Sequence, residues 1–146
     1  MGGLRVIPDL TVTELEPQQA ELLILPGGDS WMAGEKPEVS AVLRAMVTAN
    51  RPVAGICAAT LALAHAGLLD DRHHTSNGTG FIQKYVAEYR GAPFYRVAPA
   101  VCDRGVISAS GVAPIAFAAE IFRVLAPDRA RDITSYEALY ARGLIE

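Results

Sequence analysis

Two cysteines in 146 residues are too few for a disulfide framework. Their scarcity fits a reducing, cytoplasmic setting. Positive charge is also scarce: 13 lysines and arginines against 16 acids give a formal net charge of −3. No basic block or stripe interrupts that balance, which sets nucleic acid aside as a partner. Long apolar runs are missing. The longest, Ala54 to Leu69, is interrupted by Gly55, Cys57, Thr60, His65 and Gly67. It falls short of the roughly 18 apolar residues a membrane span requires, so no membrane partner is expected. The N-terminus has no basic stretch leading into an apolar one, hence no signal peptide is read there. Met1-Gly2-Gly3 opens like a myristoylation site, but Val6 stands where Ser or Thr is needed. No His, Cys and carboxylate cluster has zinc spacing; no metal and no cofactor are expected.

What is present is a globular balance, 51% hydrophobic and 20% charged. The length suits one domain over residues 1–146. Short apolar runs alternate with helical stretches. Leu4 to Ile7 reads as a weak strand, and Thr13 to Gln19 as one helical turn. Leu22 to Leu25 is apolar throughout, as a strand covered on both faces would be; it ends at Pro26-Gly27-Gly28. Pro37 to Ala49 reads as a helix stopped by Asn50-Arg51-Pro52. Val53 to Ile56 is a second buried strand, followed at once by a helix from Ala58 to Ala66 with Gly67 as its stop. His73 to Ser76 reads as a short strand and Gly80 to Tyr89 as a helix. Arg96 to Cys102 and Val106 to Ala109 flank Asp103-Arg104-Gly105, a hairpin turn. Pro114 to Leu125 is a strong helix with Ile115, Ala118, Ala119, Phe122 and Leu125 on one stripe, and Ser135 to Ala141 a last one. The strand-helix alternation implies right-handed crossovers and a parallel sheet, whose ligands sit beyond the carboxyl ends of the strands. Pro26-Gly27-Gly28 and Cys57 both fall there.

Cys57 is the candidate nucleophile. Small residues crowd it: Gly55, Ala58 and Ala59. A turn that throws one side chain outward between strand and helix needs such neighbours, as in the G-x-S-x-G elbow. The start of the following helix favours developing negative charge. Free N–H groups of Ala58, with Gly27 and Gly28 on the neighbouring strand end, could hold an oxyanion. The alternative is a buried structural cysteine, since cysteine is among the most buried residue types.

The segments Leu22-Leu23-Ile24-Leu25-Pro26-Gly27-Gly28 and Gly55-Ile56-Cys57-Ala58-Ala59-Thr60 resemble the ThiJ/PfpI superfamily, a relative of the class I glutamine amidotransferases. Ala66-Gly67-Leu68-Leu69, His74-Thr75-Ser76-Asn77 and Ser108-Ala109-Ser110-Gly111 extend the resemblance to about Gly2–Leu125. It implies an α/β, three-layer flavodoxin-like sandwich with a mostly parallel sheet and Cys57 as the elbow nucleophile. It also implies a homodimer and a small-molecule substrate. Two departures stand out. The family begins with a strand and helix carrying a glutamate near the cysteine, and this chain starts at what reads as the second strand. Where many members place a histidine, the residue is Asn77. On a strand His73, Thr75 and Asn77 share a face and His74 points away, and an amide cannot shuttle a proton. Asn77 and Trp31 are therefore expected to bind substrate, with His74 the possible base.

Other residues have plainer explanations. His65 reads as a packed helix residue, Cys102 as structural, and Tyr85, Tyr89, Phe94 and Tyr95 as packing. Glu35 and Glu120 are the acids to follow. Two functions stay open. One is a cysteine-dependent hydrolase or amidase, protease- or glutamine-amidotransferase-like, acting on a small amide or carbonyl compound. The other is a redox-sensing or stress-protective module working through Cys57 oxidation, which needs no histidine.

Overall fold

The computed structural model describes residues 5–33 and 36–142. Strands β1 (Leu23–Leu25), β2 (Val53–Ile56), β3 (Ala100–Asp103) and β4 (Val106–Ala109) form one sheet in the order β1-β2-β4-β3. The β1–β2 and β2–β4 pairs are parallel, and β3 runs antiparallel to β4. The helices are α1 (Ser40–Thr48), α2 (Thr60–His65), α3 (Phe81–Tyr85), α4 (Pro114–Leu125) and α5 (Ala130–Arg142).

Side chains alternate across the sheet because successive strand residues point to opposite faces. Val53 and Val106 join Leu43, Met46, Leu61 and Leu63 from α1 and α2 in one core. Ala54, Ile107 and Ala109 point the other way, against Phe117 and Ile121 of α4. The result is a three-layer α/β sandwich with a mostly parallel sheet. Both faces are covered, as parallel strands require. Cover is thinnest at β1, where Leu25 is buried but Ile24 is 48% exposed.

Local chemistry sets the ends of the elements. α1 stops at Asn50, with φ of 55°, and Arg51 N–H reaches back to the Met46 carbonyl. α2 stops the same way at Gly67, where Leu68 N–H bonds the Leu63 carbonyl. These are Schellman closures, which need a left-handed residue just past the helix. Arg104 and Gly105 both take positive φ, 48° and 75°, and Asp103 pairs with Val106. That is the two-residue hairpin turn whose twist matches its strands.

Several sequence expectations shift. Residues 5–8 form no strand, and Val6 and Ile7 are 72% and 94% exposed; Leu4 lies outside the described residues. Thr13–Gln19 resolves into two short 3₁₀ turns, Val12–Glu14 and Pro17–Gln19. The strand expected from Arg96 starts only at Ala100, after Pro99, which has no N–H to give a ladder. His73–Ser76 contributes a single parallel bridge, His74 to Tyr95. The helix expected over Gly80–Tyr89 ends at Tyr85, and the last helix begins at Ala130. α4 has the expected bounds but a different buried face. Phe117 and Ile121 meet the sheet, while Ile115, Phe122 and Leu125 are exposed. The helix is apolar nearly all round, so its pattern could not say which face the sheet would take. Among the described residues, no helix is long and apolar enough to cross a membrane.

Candidate active site

Cys57 follows the last residue of β2 and opens a 3₁₀ turn, Cys57–Ala59, that runs into α2. Its φ is 60°, a left-handed conformation that costs a non-glycine residue about 1 kcal/mol or more. The surroundings hold it there. Thr60 Oγ1 donates to the Cys57 carbonyl at 2.7 Å. A hydroxyl has one proton, so the buried contact between Thr60 Oγ1 and Ser76 Oγ, 2.6 Å long, has Ser76 as donor. A two-hydroxyl relay thus ties the elbow to the segment 74–77. Gly55 lets α2 close over β2; a Cβ there would lie 3.0 Å from Leu63 Cδ1.

The Cys57 side chain is half-buried and bounded on three sides. A Cβ on Gly27 would sit 2.7 Å from Cys57 Cβ. A Cβ on Gly111 would sit 2.7 Å from the sulfur. On the third side Asn77 Nδ2 lies 3.4 Å from Sγ, while its Oδ1 accepts from Gly111 N–H at 2.9 Å. Asn77 and Ser110, the chain neighbour of Gly111, also line a cleft of about 450 Å³. Tyr95, Val97, Pro99 and Val112 are among its other lining residues, none of which carries a formal charge. A groove of similar volume, about 440 Å³, runs between α4 and α5 and contains none of the sulfur's neighbours.

Gly27, Gly111, Asn77 and Cys57 therefore converge, with Gly28 and Ala58 as their chain neighbours. Trp31 lies in the 3₁₀ turn Asp29–Met32, which packs against the Cys57–Ala59 turn. It is buried, and its indole Nε1 donates to the Pro26 carbonyl at 2.9 Å, bracing the Pro-Gly-Gly turn. His74 is elsewhere. It is fully buried, with Nδ1 2.7 Å from the Arg72 carbonyl and Nε2 2.6 Å from Tyr89 Oη. A carbonyl can only accept, so Nδ1 carries the proton and Nε2 accepts from Tyr89. Both nitrogens are occupied, and the ring is wedged edge-on to Tyr89 and Tyr95. Burial pushes the Tyr89 phenol up to about 12. His65, at the far end of α2, contacts Lys36 and Glu88, and His73 lies near Asp103. Glu120 pairs with Arg123 on α4; Glu35 lies outside the described residues. Burial, with Glu120 nearby, pushes the Cys102 thiol up. Among the described residues, no group of three His, Cys, Asp or Glu side chains could hold a metal.

The Gly111 wall and the Ser76–Thr60 relay were not singled out from sequence. The glycine just past the carboxyl end of β4 was the available signal, because Gly27 and Cys57 lie just past the ends of β1 and β2 in the same way.

Burial holds the His74 imidazole below its usual range, partly offset by its bond to Arg72. The unfolded chain takes up a proton near the ordinary value of about 6.5 and the native state does not. Stability is therefore full above that value and falls on acidification, with a slope of at most about 1.4 kcal/mol per pH unit. Urea unfolding of wild type and His74→Gln at several pH values below neutrality should show the steeper loss in wild type. Parallel slopes would refute the assignment.

The DJ-1/PfpI family profile matches residues 1–124. An uncharacterized protease of Bacillus subtilis, YoaZ, is 37% identical over 134 residues, 90% of this chain and 64% of its own. The deglycase PfpI of Pyrococcus furiosus is 37% identical over 78 residues, 51% of this chain and 45% of its own. The chain thus spans less than two thirds of either relative's length. The DJ-1 superfamily protein Atu0886 of Agrobacterium tumefaciens superimposes with a TM-score of 0.83 at 38% identity, over 95% of this chain and 76% of its own. With the elbow, the sheet order and these matches together, the chain belongs to the DJ-1/PfpI family.

Proposed function

We propose that this chain is a cysteine-dependent enzyme of hydrolase or amidase type, acting through Cys57 on a small amide or carbonyl compound. The carrying observation is the convergence of four segments on one half-buried sulfur, with Asn77 both contacting that sulfur and lining an uncharged cleft. The names borne by relatives, protease and deglycase, support hydrolase-like chemistry in general. The cleft is within the size range of small-molecule sites.

In this scheme Cys57 first gives its thiol proton to water; the thiolate then attacks the carbonyl carbon, and the carbonyl π pair moves onto oxygen as the C–S bond forms. N–H groups of Ala58 and of the Gly27-Gly28 turn receive that oxyanion. Ala58 is at the second position of its turn, where the N–H has no partner within the helix. An aldehyde then takes a proton from water and leaves a hemithioacetal. An amide breaks its C–N bond, the amine departs with a proton from water, and water hydrolyses the thioester. His74 plays no part, since both its nitrogens are engaged.

Intact mass after exposure to a small dicarbonyl or activated amide tests this. Wild type should gain one adduct, mapped to Cys57, and Cys57→Ala none. Labelling of Cys102 alone would overturn the proposal. A second scheme, oxidation sensing, is favoured by an amide contacting the sulfur instead of a base. It predicts sulfinate at Cys57 under mild peroxide with no turnover of any carbonyl substrate.

A further inference from the structure

The orientation of the Asn77 amide is settled by its surroundings. Gly111 N–H can only donate, so the atom facing it at 2.9 Å is the carbonyl oxygen. The NH₂ group is thereby turned toward Cys57 Sγ, 3.4 Å away. An amide nitrogen has no lone pair with which to take a thiol proton. The contact is attractive only when sulfur is the acceptor.

We infer that Asn77 is a positioning residue: it donates to the Cys57 sulfur, favours its reactive deprotonated form and fixes it against Gly111, without acting as a base. The inference rests on Cys57 being the nucleophile proposed above. Nothing else described near the sulfur competes for this role. Asp29, after the Gly27-Gly28 turn, is exposed. On α2, His65 lies at the far end and contacts Lys36 and Glu88. On the Asn77 segment, His73 lies near Asp103, and His74 is bonded to Arg72 and Tyr89. The stretch from Ser110 to Pro114 carries no titratable side chain.

Two substitutions separate positioning from mere tethering of the Gly111 loop. In Asn77→Asp one oxygen still accepts from Gly111 N–H while the other sets negative charge against the sulfur. In Asn77→Ala both bonds are lost. The experiment is the iodoacetamide alkylation rate in a Cys102→Ser background, from about pH 5 to about pH 10. Asn77→Asp should raise the midpoint of the pH–rate profile by about one unit or more, and slow alkylation about tenfold or more near neutrality. Asn77→Ala should move both in the same direction by less. Asp tracking wild type while Ala is impaired would mean tethering alone and overturn the inference. Should Asn77→Asp fail to fold, an unmoved midpoint in Asn77→Ala overturns it equally. If wild-type Cys57 itself resists alkylation, the nucleophile proposal falls first and carries this one with it.

Discussion

Gly27→Ala is expected to slow carbonyl addition at Cys57 by roughly a hundredfold, the scale on which a displacement near 1 Å disturbs a reacting geometry. The added Cβ would lie 2.7 Å from Cys57 Cβ and 3.2 Å from the Ile56 carbonyl oxygen. Ordinary carbon contacts need about 3.5–4.0 Å. Neither opposing atom is the free end of a flexible side chain, so the elbow or the Pro26-Gly27 turn must move. Either movement separates the sulfur from the turn N–H groups proposed as oxyanion donors, each worth about a hundredfold or more. The stability loss should stay within the usual overpacking range of about 1–3 kcal/mol. Adduct kinetics and urea unfolding on the same sample separate the two effects. A rate within a factor of two of wild type would show that Gly27 does not shape the site.

Gly91→Ala should have the largest effect on stability, about 3 kcal/mol or more. Gly91 is buried, and its Cβ would meet the Leu69 carbonyl oxygen at 2.1 Å and Tyr89 Cε2 at 2.7 Å. Leu69 is fully buried in the main core, and Tyr89 holds the His74 ring through its hydroxyl. Relief at one contact therefore disturbs the other. The urea midpoint should fall by about 1 M or more, given slopes of roughly 1–3 kcal/mol per M. A change under about 0.5 kcal/mol would show that the 90s loop yields freely.

Much of the architecture was legible because its determinants are local. The β2 strand, the stops at Asn50 and Gly67, the Arg104-Gly105 hairpin and the bounds of α4 each follow from neighbouring residues. Small residues around Cys57 announced the elbow by the same logic. What stayed hidden depends on partners distant in the chain. Val6 and Ile7 look strand-like but find no neighbouring strand. The bond from the Trp31 indole to the Pro26 carbonyl is not announced by its loop position. The Ser76–Thr60 pair, the Gly111 wall and the enclosure of His74 by Tyr89 and Tyr95 all arise only when remote loops meet. Alternation along the 73–77 segment did separate His74 from Asn77, because opposite faces of an extended backbone are a local property.

The sulfur's neighbours come from four stretches of chain, around residues 27, 57, 77 and 111, with sequence separations of 20 from Cys57 to Asn77 and 34 from Asn77 to Gly111. Loops of that size must be closed before Asn77 and Gly111 are in place, so a short peptide around Cys57 lacks both. Thiol chemistry here thus doubles as a gauge of nativeness: the sulfur finds its full setting only in molecules whose distant segments have all come home.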